Sequence, residues 1–124
     1  MPVVPALTAP TFTAPGLTVT GLAAPSRGAT ETSVWRLTLA PGAAGGEHTL
    51  DREEVFVVLA GHAVATIDGD DQQLRPGDAL VVPPHCPFSL ANPHGKPFEA
   101  VAALPVGARV HIPGGHPFVP PWAR

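Results

Sequence analysis

Two side chains able to move a proton or hold a metal stand six positions apart, His48 and Glu54. A half-buried histidine near a glutamate can act as a general acid or base, because burial and a charged neighbour set where the imidazole titrates. An imidazole and a carboxylate are equally the donor types that hold a divalent transition metal. His48 and Glu54 are therefore candidate acid/base residues and, if other donors converge on them, candidate metal ligands. The one thiol, Cys86, lies two positions before Phe88, and it shares that residue's inward face if a strand has begun by position 86. His85, after two prolines, is expected at a rim. His62, His94, His111 and His116 lie near turns or in the tail, where solvent exposure explains them. No nucleophile elbow, phosphate loop or Cys-x-x-Cys pair is present.

The elements that must position these groups are short strands. Thr32 to Leu39 stops at Pro41-Gly42, and Glu54 to Ala60 stops at Gly61. His62 to Ile67 stops at Asp68-Gly69-Asp70, and Gln72 to Leu74 precedes Arg75-Pro76-Gly77-Asp78. Ala79 to Val82, Phe88 to Ala91 and Phe98 to Leu104 each end at a proline-bearing turn. Glu47 to Ala60 is the longest stretch without glycine or proline, but Val55, Phe56, Val57 and Val58 favour a strand over a helix. Alternation groups Trp35 with Leu37 and Leu39 on the core side, opposite Arg36. This succession predicts an all-β sandwich or barrel.

The spacing around the candidate site carries more. Gly42 is followed by five residues, His48, one residue, Leu50, three residues, Glu54, six residues and Gly61. Gly77 is followed by five residues, Pro83, one residue, His85, two residues, Phe88, three residues and Asn92. This pair of motifs resembles those of the cupin superfamily over about residues 30 to 105. The resemblance implies a cupin-type double-stranded β-helix, a jelly-roll barrel, with its pocket in the interior.

In cupins two histidines and the glutamate of the first motif converge with a histidine of the second on a divalent metal. Here Leu50 and Phe88 stand at two of those four positions, so the resemblance implies a dismantled site retaining His48 and Glu54. The expectation is no cofactor, with a divalent transition metal as the alternative if Cys86 or a tail histidine rebuilds the site. Without metal, His48 and Glu54 are expected to hydrogen-bond each other or a polar ligand. Leu50, Phe56, Cys86 and Phe88 are the candidate ligand-binding residues for a small apolar or aromatic molecule. Three functions fit: a small-molecule-binding protein; an enzyme, either a metal-dependent oxygenase or isomerase or a metal-free acid/base catalyst; and a structural dimer whose barrel is filled by side chains.

Composition bounds the rest. Hydrophobic residues make up 44% of the chain and charged residues 14%, enough apolar surface for one folded domain despite thirteen glycines and seventeen prolines. The formal net charge is −3 and no two of the seven basic residues are adjacent, which argues against nucleic acid as a partner. No apolar run is long enough to span a bilayer, no basic residue introduces a secretory signal, and one cysteine suits a reducing compartment. A soluble cytoplasmic protein is expected. Residues 1–25 read as an extended arm in which Thr18 to Leu22 forms an edge strand, residues 26–105 as the barrel, and residues 106–124 as a Pro/Gly-rich tail that Val119 and Trp122 could dock. The alternating arm, able to cover a neighbour's sheet edge, predicts a homodimer.

Overall fold

A computed structural model describes residues 2–124 and shows an all-β barrel of antiparallel strands. The largest sheet has the order β1 (Thr11–Ala14), β2 (Leu17–Ala23), β3 (Thr32–Leu39), β10 (Phe98–Pro105), β5 (Glu54–Ala60) and β8 (Ala79–Val82). A second sheet orders β7 (Asp70–Leu74), β6 (Ala63–Ile67) and β9 (Phe88–Ala91), and a third pairs β4 (Thr49–Leu50) with β11 (Val110–His111).

Alternation does the positioning. Along β3 the buried residues are Ser33, Trp35, Leu37 and Leu39; along β5 they are Glu54, Phe56 and Val58; along β10 they are Phe98, Ala100, Ala102 and Leu104. These inward rows, with Ala63, Ala65, Leu74 and Phe88 from the smaller sheet, form one apolar core. The run from Glu54 to Ala60 is thus a strand, as its valines require.

Turn chemistry holds the register. Asp68 and Gly69 both adopt positive φ, 48° and 85°, the pattern of a type I′ hairpin joining β6 to β7 with Ile67 opposite Asp70. Gly61 has φ 76°, and a Cβ there would run into the Pro97 carbonyl oxygen, so the β5–β6 corner admits only glycine without backbone movement. Asn92 is wholly buried and organises the loop after β9: its Nδ2 donates to the Leu39 and Lys96 carbonyls, and its Oδ1 accepts from the His94 N–H.

The arm differs from its sequence reading, whereas the tail docks through Val119 and Trp122 as read and adds a short strand. β2 is an interior strand between β1 and β3, and Thr11–Ala14 is the edge. Threonine-rich segments on both sides of Pro15-Gly16 alternate, and the turn between them folds the second onto the first. Arg27 fastens the arm, donating to the carbonyls of Pro5, Thr8 and Leu22. At the other end Val110–His111 pairs with Thr49–Leu50, Phe118 bridges to Val110, and Ser33 Oγ donates to the Ala123 carbonyl. Trp122 packs between Phe12 and Trp35, with ring centroids 6.2 Å from each, and Val119 also packs on the core. Among the described residues no helix is long and apolar enough to cross a membrane.

Candidate functional site: an apolar cavity in the barrel

The inward faces enclose a cavity of about 460 Å³. Its walls are Leu17 and Val19 of β2, Trp35, Leu37 and Leu39 of β3, Leu50 of β4, Glu54 and Phe56 of β5, and Phe88 and Leu90 of β9. The tail adds Val110, Ile112, Phe118, Pro120 and Trp122. Ile112 and Phe118 are also partly open to solvent, which sets them at the mouth. Of the candidate residues, His48, Leu50, Glu54, Phe56 and Phe88 all line this one space.

Cys86 does not. Its Sγ lies 3.8 Å from the Pro87 carbonyl oxygen, half-buried against the outside of the core. β9 begins only at Phe88, and His85, at φ 62°, reverses the chain in the turn before it, so the strand period does not reach back to position 86. His85 is exposed, in a separate polar cleft with Asp51, Arg109 and His111. His62 and His94 stand near each other at the surface, ring centroids 6.0 Å apart, and His116 is exposed.

His48 and Glu54 share the cavity, but the first of the two arrangements expected of them, a hydrogen bond to each other, is not formed. His48 Nδ1 is 3.0 Å from the Gly46 carbonyl oxygen, which only accepts; in the neutral ring the proton therefore sits on Nδ1 and Nε2 keeps its lone pair. The His48 ring lies against Phe88, centroids 4.3 Å apart, and the two backbones exchange hydrogen bonds of 3.0 Å in each direction. Glu54 is 4% exposed, and the ion pairs among the described residues, Arg36–Glu99 and Asp51–Arg109, leave it out. Burial pushes its carboxyl up to about 8, with no neighbouring charge or hydrogen bond to offset the loss of water. Near neutral pH Glu54 is mostly a neutral acid facing an apolar space.

The four-ligand metal centre that the motifs imply does not fit this donor set. Leu50 and Phe88, 2% and 1% exposed, fill two of its positions with hydrocarbon, and the Phe88 ring rests on the His48 imidazole. Neither Cys86 nor any other histidine joins the pair: no group of three or more His, Cys, Asp or Glu among the described residues is placed to hold a metal ion. The sequence reading missed the tail's share of the cavity wall. Apolar residues at positions 110, 112, 118 and 122 were its trace, obscured by the prolines and glycines between them.

Comparison with known proteins agrees with this fold. The family model described as Cupin domain matches residues 35–104. No curated protein matches significantly. Among solved structures, the polyketide cyclase RemF from Streptomyces resistomycificus superposes with a TM-score of 0.76 at 18% identity, over 85% of this chain and 79% of that one. Salicylate 1,2-dioxygenase from Pseudoaminobacter salicylatoxidans, solved with gentisate, gives 0.71 at 22% identity over 86% of this chain and 31% of that one. A sugar phosphate isomerase of the cupin superfamily from Silicibacter pomeroyi gives 0.67 at 19% identity, over 78% and 65%. At these identities the neighbours speak to the fold alone. The family match, extending over more than half of the sequence and both motifs, shows that the chain belongs to the cupin family.

Proposed function

We propose that this cupin binds a flat, largely apolar small molecule in its barrel without a metal. The carrying observation is that Leu50 and Phe88 line the cavity at two of the family's ligand positions, continuous with Trp35, Phe56 and Trp122. A space of this size lies within the range of small-molecule pockets, roughly 300–1,000 Å³. Aromatic walls favour aromatic guests, which stack edge-to-face or offset against them. Two polar groups orient the guest: the Glu54 carboxyl donates to a carbonyl or ether oxygen, and His48 Nε2 accepts from a hydroxyl. A cavity of about 460 Å³ argues against a barrel simply filled by its own side chains.

The second reading is a metal-free proton-transfer enzyme. It is favoured by the unpartnered Glu54 carboxyl and the free Nε2 of His48 on the wall of one cavity.

Trp35 and Trp122 are the chain's two tryptophans and both line the cavity, so all of its indole emission reports from the site. Titration with 2-naphthol should quench or shift that emission saturably at one molecule per chain. Absence of saturable binding of 2-naphthol, naphthalene and a flat hydroxyketone would overturn the reading.

A further inference from the structure

The ionisable groups that reach the cavity are one-sided in sign. Glu47 and His48 come from the segment that leads into β4, and Glu54 opens β5. Among the described residues no lysine or arginine lines the space, although the chain has seven such side chains. The two arginines next in sequence to lining residues are both held outside it. Arg36, flanked by Trp35 and Leu37, alternates to the opposite face of β3 and pairs with Glu99 at 3.2 Å. Arg109, next to Val110, stays with Asp51 in the separate polar cleft. In its neutral form His48 presents an acceptor, Nε2, and so does not supply the missing positive charge.

The two carboxyls act at different depths. Glu54 is buried and mostly protonated near neutral pH, so it donates a hydrogen bond but brings no countercharge. Glu47 lines the cavity yet is exposed, which sets it at the mouth with Ile112 and Phe118, and the ion pairs among the described residues leave it out. An anionic guest therefore finds no partner for its charge, and burying a charge unpaired is costly. The chain's net charge of −3 also opposes its approach. A cation at the guest's outer end meets the reverse. Glu47 pairs with it within reach of water, and the partly exposed Phe118 ring offers it a π face. We infer that the guest is an aromatic amine, its ring system seated among the cavity's aromatic walls and its ammonium group held at the mouth by Glu47, and that the site rejects aromatic acids of the same shape. This rests on the apolar cavity being the binding site and adds to that reading the sign of the guest's charge.

Calorimetric titration of the full chain at about pH 7.5, where an ordinary histidine is neutral, compares three guests built on one ring system: 2-naphthylmethylamine, 2-naphthylmethanol and 2-naphthylacetate. The amine should bind severalfold more tightly than the alcohol, and the acid at least about tenfold more weakly than the alcohol. Glu47→Gln should erase the amine's advantage over the alcohol. Glu31→Gln removes an exposed carboxylate that does not line the cavity and should keep that advantage. The order of the three guests on the wild type needs no variant to fold. If the alcohol binds, the apolar-cavity reading stands, and the inference is overturned by an acid that binds as tightly as the alcohol, by an amine with no advantage, or by an advantage that survives Glu47→Gln or is lost in Glu31→Gln. If none of the three binds, both fall together.

Discussion

His48 and Phe88 face each other directly, their backbones joined by two 3.0 Å hydrogen bonds and their rings 4.3 Å apart. Two family ligand positions thus pair as neighbours on one wall of the cavity, one still an imidazole and the other a phenyl ring packed against it. Phe88 is fully buried, and Phe88→Ala should cost about 3–5 kcal/mol of stability by chemical denaturation. The same change should weaken 2-naphthol binding by removing the wall on which the guest rests. An effect on stability smaller than that of an ordinary surface substitution would mean the ring is not seated as described.

Glu54 links stability to pH. Its folded value of about 8 lies above the ordinary 4.5, so the folded chain holds a proton that the unfolded chain releases. The sign follows: the advantage is complete below about pH 4.5, declines as pH rises, and is lost once pH passes about 8. Glu54→Gln removes the titration and should be more stable than the wild type above pH 8, by up to roughly 5 kcal/mol. Urea unfolding of both proteins from about pH 5 to about pH 9 checks this. Parallel curves for the two would contradict the buried, unpartnered carboxyl.

His48→Ala, by contrast, should affect recognition more than folding. The ring is half-buried and its side-chain hydrogen bond is to the nearby Gly46 carbonyl, so its loss should cost about 1 kcal/mol or less. Affinity for 2-naphthol should fall severalfold while affinity for naphthalene, which has no hydroxyl, changes little. Equal losses for both ligands would assign His48 to packing and not to hydrogen bonding.

The tail closes the cavity and holds the wall. Trp122 rests between Phe12 and Trp35, and Ala123 receives the Ser33 hydroxyl. Trp122→Ala should cost about 2–3 kcal/mol, less than a fully buried tryptophan because the residue is half-exposed. It should also make the remaining Trp35 emission more accessible to acrylamide. An unchanged quenching constant would show that the tail does not shield the site.

How legible was this in the sequence? The barrel strands from Thr32 onward were readable because valine-rich alternation ended each time at glycine or proline, and those signals are local. The motif spacing picks out His48, Leu50, Glu54 and Phe88, and strand period adds Phe56 two residues beyond Glu54 on the same inward face. What failed was non-local or conditional. The pairing of Thr49–Leu50 with Val110–His111 joins segments some sixty residues apart and two residues long, too short to show a period. An inward Cys86 requires a strand to have begun by position 86, and the positive φ of His85 and the start of β9 at Phe88 rule that condition out. The separation of His48 from Glu54 depends on His48 turning to the Gly46 carbonyl, a preference that spacing does not encode.

Leu50 and Phe88 put hydrocarbon at two of the four positions that the family's motifs give to metal ligands, in the cavity that His48 and Glu54 also line. Calorimetric titration of nickel into the wild type and into Leu50→His with Phe88→His tests whether those two side chains keep a metal out. The two new imidazoles join His48 and Glu54 in one cavity and complete a three-histidine, one-carboxylate set. Weak or no binding is expected of the wild type, and one tightly bound metal per chain of the double variant. Stoichiometric tight binding by the wild type, or a folded double variant that binds none, would contradict that expectation.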